Sequence, residues 1–145
     1  MTKHVDALKS LHTSLIDSRN GYEEAVEDSE GKGLAPLFRK MFELHDRHAA
    51  ELAEHLSALG EEADQDGSFM STVHRTVISI RSIVTGLDQT ILPGLIDGEE
   101  RNVHAYDEAI GLAPPASPEH RTLVSQRAAL QREIQAMKAR ESVGA

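Results

Sequence analysis

The sequence predicts an all-α protein: a bundle of four long helices with one additional shorter connecting helix. Apolar residues recur at steps of three and four through most of the 145 residues, and this spacing places side chains on one face of a helix. Glycine and proline cluster in short breaks that separate the periodic segments. Because a chain of this length is the size of one domain, we expect a single bundle over residues 1–145.

The first two predicted helices are long and are joined by a glycine-containing turn. Residues 3–29 carry an apolar stripe, which the Gly-Lys-Gly segment at 31–33 ends. Residues 34–59 form the second helix, with Pro36 in the first turn, where a missing backbone N–H costs nothing. Gly60 follows just past its end, as is typical of a helix C-terminus.

The predicted connecting helix, residues 69–86, is unusually apolar. Its many β-branched side chains leave a strand as the alternative. Its apolar residues cover more than one side, so we expect this helix either to cover the core or to meet a second copy of the chain. These residues are Val73, Val77, Ile78, Ile80, Ile83 and Val84.

The last two predicted helices are separated by a stiff break. Residues 91–112 continue the three- and four-residue periodicity, and the Ala-Pro-Pro-Ala run at 113–116 interrupts it. Ser117 is a suitable N-cap for a final helix over residues 118–141, which has one narrow apolar stripe.

Composition excludes several classes of function. The chain has no cysteine, so disulfides, zinc-thiolate sites, iron–sulfur clusters and thiol nucleophiles are ruled out. A formal net charge of -9 and a pI near 5.3 disfavour nucleic acid and anionic membranes as partners. No apolar run has the length of a signal core or a membrane span, so we expect a cytoplasmic protein.

The second helix places histidines on or beside its buried face. His45, His48 and His55 continue the spacing of the apolar residues Phe38 and Leu52. A buried imidazole needs partners for its ring nitrogens, so three of them on one face require acids, carbonyl groups, water or a metal opposite.

The fourth predicted helix supplies a candidate partner. Glu99 interrupts the apolar stripe formed by Ile96 and Val103, so we expect it to point inward, where a glutamate is rare unless it is paired. The histidines could bond to Glu99 and Tyr22, or Glu99 could form a buried salt bridge with Arg19.

A metal ion is the other possibility for these residues. The candidate ligands are His48, Glu99, His45 and Glu23, and iron or another divalent cation would be the metal. The remaining histidines are expected at the surface or at helix caps. They are His4, His12, His74, His104 and His120.

Over about residues 5–112 the sequence resembles the bacterial ferritin-like four-helix-bundle proteins of unknown function. The resemblance rests on the order and spacing of short motifs. They are a Leu-Ile-Asp segment followed by Asn20-Gly21-Tyr22, Arg47 before Ala-Ala-Glu-Leu, Leu59-Gly60, Gly67-Ser68 with His74-Arg75, Asp88 before Ile91-Leu92, and Gly98-Glu99-Glu100 leading to Tyr106. The resemblance implies the fold and carries no established reaction.

The chain is distantly similar to the di-iron proteins of the rubrerythrin and ferritin type, which hold their irons with glutamates and Glu-x-x-His pairs. In that comparison His45 stands where a glutamate precedes His48, and Asn102 stands in place of a second acid after Glu99. In the last helix Glu133 is followed three residues later by Ala136 rather than by a histidine. The similarity therefore implies about half of a di-iron ligand set.

These observations favour a non-catalytic binding or scaffold protein that self-associates. The alternative is a metalloprotein with a divergent di-iron or mononuclear site in the bundle core, and a weaker third class is a carrier of a small ligand. Ligand counting favours the first hypothesis over the second, because two irons need two bridging carboxylates and further ligands.

Overall fold

The computed structural model describes residues 2–28, 34–61 and 92–144, and within these residues the protein is all helical. The helices are α1 (Thr2–Asp28), α2 (Ala35–Ala58), α3 (Leu92–Leu112) and α4 (Pro118–Gly144). They pack together as a four-helix bundle, which confirms the predicted fold class. The predicted connecting helix, 69–86, and the apolar faces on which self-association was expected lie outside the described residues.

Local sequence explains where α2 ends and α4 begins. Gly60 adopts a φ of 81° after α2, a conformation that suits glycine. The N–H of Gly60 bonds to Ser57 O at 3.0 Å and that of Glu61 to Leu56 O at 2.8 Å, the pattern of a Schellman motif. At α4, Ser117 Oγ accepts a hydrogen bond from the backbone N–H of His120 at 3.2 Å and so caps the helix.

The helices run in an up-down-down-up order. α1 packs against α2 and α3, and α4 packs against α3 and α2. Lys9 Nζ lies 2.6 Å from Glu61 Oε1, so α1 begins where α2 ends. His4 Nε2 lies 3.2 Å from Glu119 Oε1, so α4 begins at the same end of the bundle. The end of α2 and the beginning of α3 therefore lie at opposite ends, an arrangement consistent with a ferritin-like fold.

The core is mostly aliphatic, with polar groups placed inside it. Tyr106 and Phe38 are its largest fully buried side chains. None of the described helices is long and apolar enough to span a bilayer. The buried polar side chains are His4, His12, Asp17, His45, His48, Glu99, Asn102, Glu119 and Gln126.

Two of the histidines expected at the surface are instead buried. His4 is 8% exposed and His12 is 1% exposed, whereas His104 is exposed as predicted and His120 is half-buried. His4 and His12 each lie four residues from Leu8, which is fully buried, and that spacing puts them on the same inner face of α1. His74 lies outside the described residues.

Candidate functional site

Glu99 is the centre of a buried polar cluster. Its side chain is 2% exposed, because it lies on the α3 face between the buried residues Ile96 and Val103. One carboxylate oxygen, Oε2, accepts a hydrogen bond from the Tyr22 hydroxyl at 2.6 Å. The ring Nε2 of His45 lies 3.0 Å from Oε1 and 2.9 Å from Oε2. We call Glu99 and its three partners, Tyr22, His45 and Asn102, the Glu99 cluster.

The cluster joins three helices. Tyr22 comes from α1, His45 from α2, and Asn102 from the next turn of α3, where it donates Nδ2–H to Glu99 Oε1 at 3.0 Å. The rings of Tyr22 and His45 stack with their centroids 5.9 Å apart and an angle of 22° between their planes. Both oxygens of Glu99 are therefore engaged by donors of the protein itself.

Asn102 extends the cluster to the neighbouring turns of α1. Its Oδ1 accepts a hydrogen bond from Ser14 Oγ at 2.8 Å, and its Nδ2 also donates to Ser18 Oγ at 3.1 Å. The two serines lie four residues apart on α1, so they present their hydroxyl groups on one face. These contacts fix the amide orientation, since Nδ2 has two acceptors and Oδ1 has a donor.

The surroundings of Glu99 favour its ionised form. Burial raises the pKa of its carboxyl, but the charge of His45 and the hydrogen bonds from His45, Tyr22 and Asn102 outweigh burial, and the net pKa is lowered. Burial, with the nearby Glu99 charge, raises the pKa of the Tyr22 hydroxyl well above its ordinary value of 10.0. Tyr22 therefore keeps its proton and acts as a donor to Glu99.

A second buried network surrounds His48, one helical turn after His45. The Tyr106 hydroxyl donates a hydrogen bond to Gln126 Oε1 at 2.9 Å. Gln126 Nε2 donates to His48 O at 3.2 Å and to Glu51 Oε1 at 2.7 Å. Because the one hydroxyl hydrogen of Tyr106 bonds to Gln126, the Tyr106 oxygen can only accept a hydrogen bond from His48 Nδ1, 3.4 Å away. This network joins α2, α3 and α4.

His48 is held in its neutral form. Burial, followed by the charges of His45 and Arg47, lowers its pKa from 6.5 to about 4. With Nδ1–H directed at Tyr106, the lone pair of the imidazole is on Nε2. Burial also raises the pKa of Tyr106, with contributions from Glu99 and Glu51, so both partners stay neutral.

The predicted site residues differ in burial, and only some of them are in contact with one another. His45 and Glu99 are in direct contact, and His48 is buried beside them in the network around Tyr106. Glu23 is exposed on α1. His55 is half-buried, and its Nε2 lies 2.8 Å from Thr122 Oγ1.

The predicted alternative of an Arg19–Glu99 salt bridge is wrong. Arg19 Nη1 instead lies 3.2 Å from Asp46 Oδ1, and the arginine also donates to Asn20. Arg19 lies at the rim of the bundle, where its partner Asp46 is about half exposed. A long charged side chain in this position keeps its guanidinium group near water. The buried Glu99 is paired with His45 instead.

The hydrogen-bonding roles of Asn102 in α3 and Gln126 in α4 were not predicted from the sequence. Asn102 carries a signal, since it lies three residues after Glu99 and so shares its helix face. Gln126 lies between the core residues Leu123 and Leu130 of α4, and it also had a detectable inward position. Apart from Glu99, which shares a helix with Asn102, their partners come from other helices, and periodicity within one helix does not reveal such partners.

Among the described residues, no group of three or more His, Cys, Asp or Glu side chains has an arrangement that could hold a metal ion. The buried Nδ1 of His45 has no hydrogen-bond partner in the part of the chain that is described. The opposite nitrogen of the same ring donates to Glu99, as in many metal-binding histidines.

Comparison with known proteins places the chain in a family. No curated protein and no solved structure matches it. A family model described as a domain of unknown function matches residues 3–112, which run from α1 to the last residue of α3 and include the whole Glu99 cluster. Since the match covers most of the chain, the protein belongs to the DUF2383 family.

Proposed function

We propose that this protein is a non-catalytic binding or scaffold protein that self-associates, and that its inner polar residues hold the helices together rather than perform chemistry. The single observation that carries this proposal is that hydrogen-bond donors of the protein already engage both carboxylate oxygens of Glu99. Tyr22, His45 and Asn102 direct four hydrogen-bond contacts at its two oxygens. A carboxylate so engaged has little remaining capacity to bind a cation or to accept a proton from a substrate.

The electrostatics support the same role. A general base working near neutral pH needs a pKa close to that pH, whereas the pKa of Glu99 is lowered and that of His48 is about 4. Tyr22 has a raised pKa, so it is a hydrogen-bond donor rather than an anionic ligand. Buried ionic groups of this kind can specify one packing arrangement of helices, as in coiled coils.

One observation favours the alternative, a metalloprotein with a divergent di-iron or mononuclear site. The buried Nδ1 of His45 lacks a partner among the described residues, and a metal ion would supply one. Iron or another divalent cation at Nδ1 would leave Nε2 bonded to Glu99, which would orient the ring from its other side. The two functions are therefore distinguished by whether His45 Nδ1 binds a cation.

Elemental analysis by plasma mass spectrometry tests the proposal. The protein is purified without an affinity tag or chelator, then measured before and after loading with Fe²⁺, Mn²⁺ or Zn²⁺ and desalting. The matched variant is Glu99→Gln, with Glu100→Gln as its control, because the side chain of Glu100 is about half exposed. We expect no stoichiometric metal in any sample. Stoichiometric metal in the wild type and in Glu100→Gln, with loss of that metal in Glu99→Gln, would establish the alternative.

A further inference from the structure

α2 and α4 form the most open of the four sides of the described bundle. Their backbones approach each other closely at fewer positions than those of any other neighbouring pair of described helices. α1 and α2, by contrast, meet through aromatic rings, with 6.3 Å between the ring centroids of Tyr22 and Phe38 and 5.9 Å between those of Tyr22 and His45. A part of a fold that has few close contacts opens at a lower free-energy cost than the rest.

Polar side chains bridge α2 and α4 along this side. The bridging pairs are His55–Thr122 at 2.8 Å, Glu51–Gln126 at 2.7 Å and Lys40–Glu133 at 3.1 Å. In every pair the α2 side chain is exposed or half-buried, so water can replace its partner at a small net cost. The polar contacts on this side therefore hold the two helices together only weakly.

Gln126 is the side chain that closes this side near the buried polar groups. It is 2% exposed, whereas its hydrogen-bond partner Glu51 is exposed. Its amide also accepts a hydrogen bond from the Tyr106 hydroxyl at 2.9 Å and donates one to the backbone oxygen of His48 at 3.2 Å. Gln126 therefore lies between the solvent and the buried side chains of Tyr106 and His48. The Glu99 cluster lies one turn of α2 beyond His48.

We propose that the bundle opens between α2 and α4 to admit a small polar molecule, and that Gln126 is the gate of this entrance. Release of the Gln126 amide leaves the Glu99 cluster intact, because the groups of that cluster come from α1, α2 and α3 alone. The exposed carboxylate of Glu51 at the outer end of the entrance favours a cation or a hydrogen-bond donor over an anion. Bundle proteins commonly bind small molecules between their helices. The inference goes beyond the proposed function and is independent of whether His45 Nδ1 binds a cation.

Chemical modification of histidine measures this opening. Diethylpyrocarbonate acylates neutral imidazole, and His48 is neutral near pH 7 because its pKa is lowered to about 4. Peptide mass spectrometry reports the rate at each histidine separately. His104 is exposed and corrects for the activity of the reagent, while His12 is 1% exposed and reports unfolding of the whole bundle.

Gln126→Ala is the variant that removes the gate. We expect modification of His48 to accelerate severalfold relative to His104, with the rate at His12 unchanged. The matched control is Arg127→Ala at the next position of α4, where the lost ion pair joins α4 to α3 instead of α2. This control should leave both rates as they are in the wild type.

A cross-link tests which side of the bundle opens, and the chain is suited to it because it has no cysteine. In the Gln126→Ala background, His55→Cys and Thr122→Cys are joined by a short bis-maleimide, which ties α2 to α4 one turn from the gate. The control link joins α1 to the end of α2 through Lys9→Cys and Glu61→Cys.

We expect the α2–α4 link to return modification of His48 to the wild-type rate and the α1–α2 link to leave it fast. Three results would overturn the proposal. They are a His48 rate in Gln126→Ala equal to that of the wild type, a parallel acceleration at His12, and an α2–α4 link that does not slow the reaction.

Discussion

The Nε2 atom of His45 lies 2.9 Å from Oε2 of Glu99, and the two side chains are 0% and 2% exposed. This contact crosses the bundle from α2 to α3, and Tyr22 completes it from α1. The pair therefore lies at the meeting point of three helices, away from water. In this environment the loss of one partner has a large effect, because the other group has no solvent to replace it.

Replacement of His45 by leucine should strongly destabilise the fold. Glu99 would lose the charge and the hydrogen bonds of the imidazole that offset its burial, and removal of one member of a buried pair costs about 3 to 5 kcal/mol. Urea denaturation followed by circular dichroism gives the free energy of unfolding. Arg127→Ala, which breaks the exposed pair with Asp107, is the control and should cost no more than about 1 kcal/mol. Equal losses in the two variants would contradict a buried, ionised Glu99.

Because of His48, the free energy of unfolding should decrease as the pH falls below the ordinary pKa of histidine. In the unfolded chain this histidine takes up a proton near its ordinary pKa of 6.5, while in the folded protein it stays neutral down to about 4. The unfolded state therefore binds more protons in that window, so the free energy of unfolding is highest above 6.5 and decreases as the pH falls toward 4.

Denaturation at about pH 7 and about pH 5 measures this dependence in the wild type and in His48→Leu. We expect a smaller pH effect in the variant, since it lacks the titrating imidazole. His104→Leu is the control, because His104 is exposed, and it should retain the wild-type dependence. An unchanged pH effect in His48→Leu would place the titration at another group.

The two tyrosines should not ionise while the protein is folded. Burial raises the pKa of both Tyr22 and Tyr106, and they are the only tyrosines in the chain. Their neutral forms are favoured in the folded state, so stability is complete below the ordinary pKa of 10.0 and is lost as the pH rises above it.

An alkaline titration checks this by following tyrosinate absorbance and helical circular dichroism together. We expect both signals to change in one cooperative step, since the hydroxyl groups become available only on unfolding. Tyrosinate absorbance that rises near the ordinary pKa with the helices intact would show that at least one ring is accessible. The Tyr22→Phe and Tyr106→Phe variants assign such a signal to one position.

Asn102→Asp should destabilise the bundle by roughly 1 to 3 kcal/mol or more, because it places a second carboxylate beside Glu99 and removes the amide donor. The same chemical change at Asn20 is the control. Asn20 is only partly buried and accepts hydrogen bonds from Arg19, so a carboxylate there should be tolerated. Thermal unfolding compares the two variants, and a neutral Asn102→Asp would argue against the proposed donor role.

Periodicity predicted the inward residues of α2 and α3 because polar and apolar side chains there share one register. His45 and His48 follow the spacing of Phe38 and Leu52, and Glu99 follows that of Ile96 and Val103. The same rule applied to His4 and His12 would have placed them on the buried face of α1.

The pairing between helices could not be predicted in the same way. Glu119 meets His4 across 115 residues of sequence, and Asn102 meets Ser14 across 88. Such contacts depend on which helices are neighbours and on how far each has shifted along the bundle axis. Arg19 illustrates the difficulty, since Glu99 was considered as its partner and the exposed Asp46 is the acid that it contacts.

A double-mutant cycle of His45→Leu and Glu99→Leu, measured with and without a metal chelator, tests the central claim most directly. The claim is that these residues stabilise the bundle through contact with each other and with Tyr22 and Asn102. We predict that the double variant recovers part of the loss caused by each single change, with a coupling of at least about 1 kcal/mol that the chelator leaves unchanged. Additive single changes, or a coupling that disappears with the chelator, would contradict the claim.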